Sequence, residues 1–394
     1  MNYPVRTLLL VIAFSGSLST GLTQSKIVGG DDVPPGLYSW MAAIVDKNEP
    51  DTFEAQFCGG SLIHESWVVT AAHCVEGQSA SSLGVWLDIN DLNDTSGAVY
   101  RDVKAIFRHP SYRSDIQDNL FNDIALLMLD TPVTTVTPIA YRTSSALATN
   151  TFLYALGWGQ TESNPAFPNI LQSTDLYSDP RSIGQTFFNN VLGPEHLLAS
   201  EPGQDTCQGD SGGPLFDPNS DELVGITSFG LGCADGIPGV YANVGYFSSW
   251  LDTFLAQPTD VDPVLSFKSG ANDLVDNGGP SRFLKTDFGR RLRSGKSKVV
   301  SFSISNGAGT SPALITRAVT SGRVFSVAGA PPYIFGGTAK NIRIRFRPPN
   351  KRKITRSRVR IFTNDADVPV FTFNVLGRSK PKKKKHRRGG TGFF

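Results

Sequence analysis

Three short segments of the chain carry residues that could together activate a serine hydroxyl. "TAAHC" contains His73 beside Cys74, "FNDIALLML" places Asp123 ahead of an apolar run, and "DTCQGDSGGPL" places Ser211 among glycines. A serine hydroxyl is a weak nucleophile unless a neighbouring base takes its proton. An imidazole suits that role near neutral pH, and a buried carboxylate can hold its tautomer. The segments together predict a nucleophilic serine site, although each one alone is more often structural.

Short segments with the character of β-strands surround these residues. β-branched and aromatic runs bounded by Gly, Asn, Asp and Pro predict many short strands, as in a barrel or a sandwich. The runs are "WMAAIV", "GGSLIHESWVVTAAH", "VKAIFRH", "IALLML", "TFLYALGWG" and "LVGITSFG". Large apolar residues at helical spacing predict a single helix over Val244–Ala256. The predicted fold class is therefore all-β.

With the "IVGG" motif near the N-terminus, these segments resemble the trypsin-like (chymotrypsin-fold) serine proteases, in the order His, Asp, Ser. The resemblance covers about residues 27–256 and implies two packed antiparallel β-barrels with the active site between them. It implies that His73 is the general base, Asp123 its orienting carboxylate and Ser211 the nucleophile. The backbone N–H groups of Gly209 and Ser211 would form the oxyanion hole, which the surrounding glycines permit.

The resemblance also implies a substrate pocket with an acid at its floor. Asp205 stands six residues before the serine, where it would attract Lys or Arg side chains of a substrate. The alternative is that Asp205 lies in a loop exposed to solvent and has no role in binding. Gly230 and Gly239 match the glycines that let a long side chain enter, and Ser228 and Phe229 match the edge that pairs with substrate backbone. The family usually has Trp at the position of Phe229.

The segment "SKIVGG" resembles the activation site of this family. Cleavage before such a start frees an α-amino group, which pairs with the acid before the nucleophilic serine. Here the cut follows Lys26, the new amine belongs to Ile27, and the acid is Asp210. A buried carboxylate needs such a partner. The resemblance therefore implies a zymogen, and a protease that cuts after Lys could cut this bond itself.

Residues 1–26 predict a secretory signal peptide followed by a short pro-segment. One early charge, Arg6, precedes the apolar core "TLLLVIAF" and the small residues "SGSLSTG". The core is too short to span a bilayer as a helix. A buried N-terminal helix is the alternative, but the glycines and serines after Phe14 would end it. We expect a secreted, extracellular protein and leave cell-surface association open.

The chain contains four cysteines, Cys58, Cys74, Cys207 and Cys233. An even, low number in an exported protein predicts two disulfides, and the count alone leaves three pairings open. The spacing is unlike that of a zinc site, and we predict no metal and no cofactor. The resemblance implies that Cys58 pairs with Cys74 and Cys207 with Cys233. A third disulfide common in the family is absent, since Leu198 stands about where one of its cysteines would be.

The overall charge of +2 hides a strong asymmetry along the chain. Residues 1–260 hold 9 Lys and Arg against 29 Asp and Glu, a net charge of −20. Residues 261–394 hold 28 against 6, a net charge of +22. An asymmetry of this size indicates two modules with different surroundings or partners. The polar stretch "AQPTDVDP" over residues 256–263 predicts the linker between them.

Residues 265–376 predict a second β module. Alternating strands separated by Gly, Pro and Asn resemble the immunoglobulin-like sandwich of choice-of-anchor D and hydin-like repeats, through "SISNGAG", "FSV", "RFRP" and "FTNDADVPVFTFNV". The module contains no set of residues typical of catalysis. The block of like charge in residues 377–394 predicts a basic, disordered tail.

Two of the predicted strands in the second module carry an arginine at every second position. They are Arg343, Arg345 and Arg347 on one strand and Arg356, Arg358 and Arg360 on the other. Period two sends each set to one side of its strand. If "PPNKRK" between them is a hairpin turn, the six arginines form one basic sheet face. Such a face fits an anionic surface or another anionic partner: a cell-surface polysaccharide, a lipid head group, nucleic acid or the acidic first module itself. The alternative is an ordinary soluble face.

These observations predict four regions and one main function. The regions are 1–26 (signal peptide and pro-segment), 27–257 (protease), 265–376 (sandwich) and 377–394 (tail). The predicted function is a secreted serine endopeptidase, made as a zymogen, that acts on proteins or peptides with Lys or Arg at the cleaved bond. The alternative is a catalytically inactive protease fold that binds a partner through the basic C-terminal module.

Overall fold

The computed structural model describes residues 29–161, 167–289 and 291–382, and strands dominate it. The predicted signal peptide lies outside these described residues. In chain order the first sixteen described strands are β1 (Asp31–Asp32), β2 (Met41–Asp46), β3 (Gln56–His64), β4 (Trp67–Thr70), β5 (Leu83–Leu87), β6 (Val99–Arg108), β7 (Arg113–Ser114), β8 (Leu120–Phe121), β9 (Ala125–Leu129), β10 (Ala140–Tyr141), β11 (Phe152–Gly157), β12 (Gln172–Asp179), β13 (His196–Ser200), β14 (Pro214–Asp217), β15 (Glu222–Phe229) and β16 (Gly239–Asn243).

The described helices are short except for the one that ends the first unit. They are α1 (Thr52–Ala55), α2 (Arg181–Gly184) and α3 (Val244–Leu255), with 3₁₀ turns at His73–Val75 and Ala80–Ser82. The predicted C-terminal helix is confirmed as α3, whose start is capped by the Asn243 side chain. In the part of the chain that the structure describes, no helix has both the length and the apolar character needed to cross a membrane.

Two closed six-stranded barrels form the first unit, as the predicted fold class requires. The first barrel closes in the order β2, β3, β4, β9, β6, β5. The second follows the order β12, β11, β14, β15, β16, β13, and β13 pairs back with β12 to close it. Strands β4 and β9 are buried along their whole length, because apolar groups cover both of their faces.

The strand β13 shows what replaces the disulfide that this chain lacks. Leu198, where a cysteine of that disulfide was expected, is fully buried in β13. It packs with Phe188, Leu192 and Val240 in a small apolar cluster. Burial of such side chains stabilises the fold by about 1.5–3 kcal/mol each. Apolar packing therefore restrains this segment.

The second unit consists of two five-stranded sheets packed face to face. Its strands are β17 (Leu265–Ser269), β18 (Asn272–Asp273), β19 (Leu292–Arg293), β20 (Lys298–Asn306), β21 (Ala313–Thr320), β22 (Phe325–Gly329), β23 (Tyr333–Ile334), β24 (Ala339–Phe346), β25 (Lys353–Thr363) and β26 (Val370–Lys380). One sheet has the order β18, β17, β20, β24, β22, and the other β19, β26, β25, β21, β23. Both sheets contribute to one core, where the rings of Phe267 and Phe371 stack at 3.8 Å. The relation to immunoglobulin-like repeats stays a prediction.

The prediction that six arginines share one sheet face is wrong. Strand β24 pairs with β20 and β22, whereas β25 pairs with β21 and β26 in the other sheet. The segment between them contains Pro348 and Pro349, which have no N–H to bond across a hairpin. The chain instead passes from one sheet to the other there. The two sets of arginines therefore lie on opposite outer faces of the sandwich.

The predicted boundary between sandwich and tail is also wrong by a few residues. Gly377–Lys380 belong to β26, where Ser379 is completely buried. The Ser379 hydroxyl donates to the carbonyl oxygen of Lys351 at 2.6 Å, and Leu292 of β19 pairs beside it. Pairing on both sides keeps this end of the strand in the sheet. The tail beyond Lys382 lies outside the described residues.

An aromatic cluster joins the two units. The ring centroid of Phe254, in α3, lies 5.0 Å from that of Tyr333 and 4.9 Å from that of Phe335. Trp250, also in α3, donates its indole N–H to the Tyr333 hydroxyl at 3.0 Å. Phe254 is fully buried and also contacts Phe107 of the first barrel at 5.0 Å. One side chain thus contributes to packing in both units.

The predicted linker is ordered and bonded to both units. Lys104 of the first barrel donates to the Thr259 carbonyl at 3.2 Å and pairs with the Asp262 carboxylate at 2.8 Å. On the other side, the Ser311 N–H donates to the Val261 carbonyl at 2.7 Å. These bonds fix the path of the chain between the two units, so the linker is not a free tether.

We expect Phe254→Ala to destabilise the protein by about 3–5 kcal/mol, because it leaves a cavity where both units meet. Tyr246→Ala is the matched control, since this aromatic residue of the same helix is exposed. Thermal unfolding of the two variants checks the prediction. Equal melting temperatures for both variants would show that the aromatic cluster does not hold the units together.

Candidate active site

His73 and Asp123 are brought together by the first barrel. His73 begins the 3₁₀ turn after β4, and Asp123 lies between β8 and β9. Asp123 Oδ2 lies 2.7 Å from His73 Nδ1, and Asp123 Oδ1 accepts the backbone N–H of His73 at 2.8 Å. Two bonds from one residue fix the imidazole relative to the carboxylate. With Nδ1 protonated, His73 Nε2 is left to accept a proton.

Asp123 is buried, and the second barrel supplies a further donor to it. Its relative exposure is 3%, and the Ser228 hydroxyl donates to Oδ2 at 2.5 Å. Ser228 belongs to β15, so this bond crosses from one barrel to the other. A buried carboxylate that accepts several hydrogen bonds is held in one position. The sequence pattern predicts Ser228 at the substrate edge and carries no sign of this contact with Asp123.

Ser211 lies in the second barrel, just before β14. Its carbonyl accepts the N–H of Gly59 from the first barrel at 2.8 Å, which places the serine where the two barrels meet. Gly209 has a φ of +98° and Gly212 a φ of +77°, conformations that glycine adopts without strain. The N–H groups of Gly209 and Ser211 donate to no group in the described part of the chain. Both N–H groups are thus without an acceptor among the described residues.

The serine and histidine are not hydrogen-bonded to each other within the described residues. His73 Nε2 has Cys74 Sγ at 3.8 Å. Nucleophile–base bonds in unliganded sites are often long and tighten when substrate binds. The structure contains two disulfides, Cys58–Cys74 beside the histidine and Cys207–Cys233 beside the serine. These are the pairs that the resemblance implies.

A cavity of about 140 Å³ opens beside Ser211. It brings together all the residues that the sequence assigned to substrate binding, and it adds Thr206, Gln208, Thr227 and Gly232. Its lining residues are Asp205, Thr206, Cys207, Gln208, Ser211, Thr227, Ser228, Phe229, Gly230, Gly232, Cys233 and Gly239. A Cβ on Gly239 would lie 3.2 Å from Asp205 Oδ1, so the bare backbone leaves room above the acid. Among the lining residues, Asp205 is the one that carries a carboxylate.

Asp205 is held inside the cavity by two backbone donors. Its oxygens accept the N–H of Thr206 at 2.8 Å and that of Ala234 at 3.0 Å. Burial raises the pKa of Asp205 to about 6, the negative charge of Asp235 adds to this, and the two N–H bonds act against it. The sequence motifs do not single out Ala234 or Asp235 as neighbours of this acid. The carboxylate is charged at neutral pH and attracts a cation.

Asp210 is a second buried acid, immediately before Ser211. Its exposure is 0%, and its oxygens accept the N–H groups of Gly159 and Cys207, each at 2.8 Å. A Cβ on Gly159 would lie 2.3 Å from the Asp210 carboxyl carbon, and one on Gly157 would lie 2.1 Å from Oδ1. The motif "GWG" at 157–159 could have signalled this close approach. Both glycines are required for the acid to fit.

The charged form of Asp210 is unfavourable unless a cation lies beside it. Burial raises the pKa of Asp210 to about 7, the charge of Asp205 raises it further, and the two backbone N–H bonds lower it. No basic side chain among the described residues pairs with it. The predicted partner is the amine of Ile27, which lies outside the described residues together with Lys26.

Comparisons with known proteins agree with this geometry. A family model described as Trypsin matches residues 27–251, more than half of the chain. Trypsin-2 of Salmo salar is 40% identical over 209 residues, which cover 51% of this chain and 85% of that protein. Kallikrein-4 of Homo sapiens is 32% identical over 250 residues, covering 62% and 92%.

A solved structure extends the likeness to both units of the fold. The Vibrio cholerae VesB protease aligns over 91% of this chain and 100% of its own, with a TM-score of 0.55 and 24% identity. The aligned 91% of this chain is more than the first unit alone contains, so the alignment includes the second unit. At this identity the comparison supports the fold and nothing more specific.

The pocket acid gives a pH-dependent prediction. Benzamidine, which stays cationic across the range, should bind about tenfold more weakly for each pH unit below about 6, because Asp205 is protonated there. Asp235→Asn should move the midpoint to lower pH, since it removes a charge that raises the pKa of Asp205. Calorimetric titration between pH 4.5 and 8 measures both. Affinity that is flat across this range would exclude Asp205 as the binding carboxylate.

Proposed function

Because the chain belongs to the trypsin family of serine proteases, we propose that it is a secreted serine endopeptidase that hydrolyses peptide bonds after Lys or Arg. One observation carries the proposal. Ser211 and the buried acid Asp205 line the same cavity of about 140 Å³. A substrate residue whose side chain is positively charged and long enough to reach that acid would place its backbone carbonyl carbon beside the serine hydroxyl.

The proposed reaction uses His73 as a proton carrier. His73 Nε2 takes the proton of Ser211 Oγ as this oxygen attacks the substrate carbonyl carbon, and Asp123 stabilises the imidazolium. The carbonyl oxygen becomes an oxyanion that accepts the N–H groups of Gly209 and Ser211. The C–N bond then breaks, and the imidazolium gives its proton to the leaving amine. Water repeats the sequence on the acyl-enzyme and frees Ser211.

The preference for Lys or Arg follows from the charge inside the pocket. A buried carboxylate with two N–H bonds is costly to leave without a cation, so a cationic side chain gains most from entering. Gly230 and Gly239 keep the walls free of side chains. Phe229, at the cavity edge, packs against Phe188 and His196 at 5.5 and 5.8 Å. These contacts hold the Phe229 ring in place, and the residue keeps its proposed role at the edge that pairs with substrate backbone.

We also propose that the protein is made as a zymogen and is activated by cleavage between Lys26 and Ile27. The buried, cation-free state of Asp210 in the described structure supports this. A new ammonium group beside Asp210 would lower the cost of keeping this acid charged. Asp210 adjoins Ser211, and the loop carries Gly209, so the pairing would fix the oxyanion donors.

The second module is proposed to bind an anionic partner, such as a cell surface or a polysaccharide. Its net charge of +22 over residues 261–394 is the supporting observation. A positive electrostatic field raises the local concentration of anions and steers them to the surface of the module. This proposal does not depend on catalysis. It also holds under the alternative, in which the protease fold is inactive and the protein acts by binding a partner.

Ser211→Ala should lower kcat by about 10⁶-fold, because it removes the nucleophile. It should not lower stability, because the side chain loses a single hydroxyl group. The control is Ser249→Ala, which removes an exposed hydroxyl from α3 and should keep full activity. Cleavage of an arginyl peptide substrate measures this, with labelling by a serine-directed phosphonate as a second readout. A protein cut after Lys26 that shows neither labelling nor cleavage would establish the binding-protein alternative.

Lys26→Gln should leave the secreted protein uncut at this bond and inactive, since a self-cutting enzyme with an Asp205 pocket does not accept Gln. Lys26→Arg is the matched control and should activate normally. N-terminal sequencing and activity measurements on both proteins test this. Full activity of an uncut Lys26→Gln protein would refute the role of the Ile27 amine.

A further inference from the structure

Strand β25 presents three arginines on the outer face of its sheet. They are Arg356, Arg358 and Arg360, all exposed, and they alternate with the buried residues Ser357, Val359 and Ile361. The apolar members of the buried set belong to the sandwich core, so the alternation fixes which way the arginines point. The result is a row of three exposed arginines along one strand.

These arginines line a shallow, open groove on the outer face of the sheet. A cavity of about 310 Å³ is bounded by Ser321, Arg356, Ser357, Arg358, Arg360 and Asn374. Asn374 of β26 stands directly opposite Arg358 in the sheet. On the other side, the Arg358 N–H donates to the Ser321 hydroxyl oxygen at 2.9 Å, which holds Ser321 beside the row. The groove therefore combines three cations with hydroxyl and amide groups.

No acid neutralises the row within the described part of the chain. The ion pairs of the described second module are Lys268–Asp273, Arg282–Asp287 and Arg378–Asp287. None of them includes a groove arginine, and no guanidinium nitrogen of the row donates a hydrogen bond to a described residue. Soluble surfaces usually mix charges of both signs. Like charges so close together repel one another unless a partner supplies the anions.

The opposite outer face is a natural comparison. Arg343 and Arg345 of β24 have the same period-two spacing. Arg343 lies over the backbone of Gly329, whose Cβ would be 2.8 Å from a guanidinium nitrogen, and Arg345 stands opposite the exposed apolar Val299. This face therefore differs in its neighbours from the groove on β25.

We propose that the groove on β25 binds a linear acidic polysaccharide, and this rests on the anionic partner proposed above for the second module. Arginines two residues apart on a strand are about 6.8 Å apart, so successive anionic groups of an extended polymer can each meet one. The planar guanidinium binds carboxylate or sulfate through two parallel N–H bonds. Ser321 and Asn374 suit the hydroxyl groups of a sugar chain.

The lining favours a polysaccharide over other polyanions. Single-stranded nucleic acids are held largely by stacking of bases on aromatic side chains, and the groove lining has none. Insertion into a lipid surface uses exposed aromatic or leucine side chains, and these are also absent from the lining. What remains is a row of cations with hydroxyl and amide neighbours, which matches an anionic sugar polymer.

The test compares two triple variants in full-length protein with Ser211→Ala, which prevents self-digestion. One variant is Arg356→Gln with Arg358→Gln and Arg360→Gln, and the other is Arg343→Gln with Arg345→Gln and Arg347→Gln. Both lose three charges, and both keep the same tail. Calorimetry with a heparin hexasaccharide should show at least a fivefold weaker affinity for the first variant and less than a twofold change for the second.

A footprint keeps the proposal testable if a triple variant folds poorly. In the Ser211→Ala protein, heparin should protect Arg356, Arg358 and Arg360 from phenylglyoxal, while Arg343 and Arg345 stay reactive, as read by peptide mass spectrometry. Equal losses in both variants, or protection elsewhere only, would overturn the groove and leave a partner bound through net charge. No binding by any of the proteins would overturn the anionic partner itself. Tighter binding of an oligonucleotide or of phosphatidylglycerol vesicles, lost in the first variant, would overturn the polysaccharide class.

Discussion

The buried carboxylate of Asp210 is the interaction on which the candidate site depends. An acid without exposure to water costs several kcal/mol unless donors surround it, and here two backbone N–H groups do so. One donor is Gly159, which must lack a side chain because the carboxyl group occupies that space. The other is Cys207, which a disulfide ties to Cys233. The loop that carries Ser211 is therefore positioned from both sides by one acid.

The two buried acids of this loop, Asp205 and Asp210, interact electrostatically. Asp205 and Asp210 are both buried, and the charge of Asp205 is one cause of the raised pKa of Asp210. A cation at either acid lowers the field that the other experiences. In the proposed function, the Ile27 amine would do this at Asp210 and a substrate side chain at Asp205. Activation and substrate binding would then favour each other, because coupling between two sites is reciprocal.

The sequence allowed the motifs and strands to be predicted much better than the contacts between distant strands. His73, Asp123 and Ser211 lie in recognisable local segments, and alternation marked the strands because one face of each is buried. Alternation also oriented the arginines correctly on each strand. It could not say that β24 and β25 belong to different sheets, because period two carries no information about the partner strand. Ala234 and Gly159 were missed for a similar reason, since their role is a single backbone bond to a distant acid.

In the part of the chain that the structure describes, the two units are not joined by ion pairs between their opposite charges. The junction consists of aromatic rings, chiefly Phe254 against Tyr333 and Phe335. The ion pair of Lys104 with Asp262 joins the first barrel to the linker, and its cation comes from the acidic unit. No described arginine or lysine of the sandwich pairs with an acid of the barrels. Among the described residues, the acidic unit is therefore not the ion-pair partner of the basic one. The positive charge of the sandwich stays available to a molecule outside the chain, and apolar packing at the junction lets both units keep their separate fields.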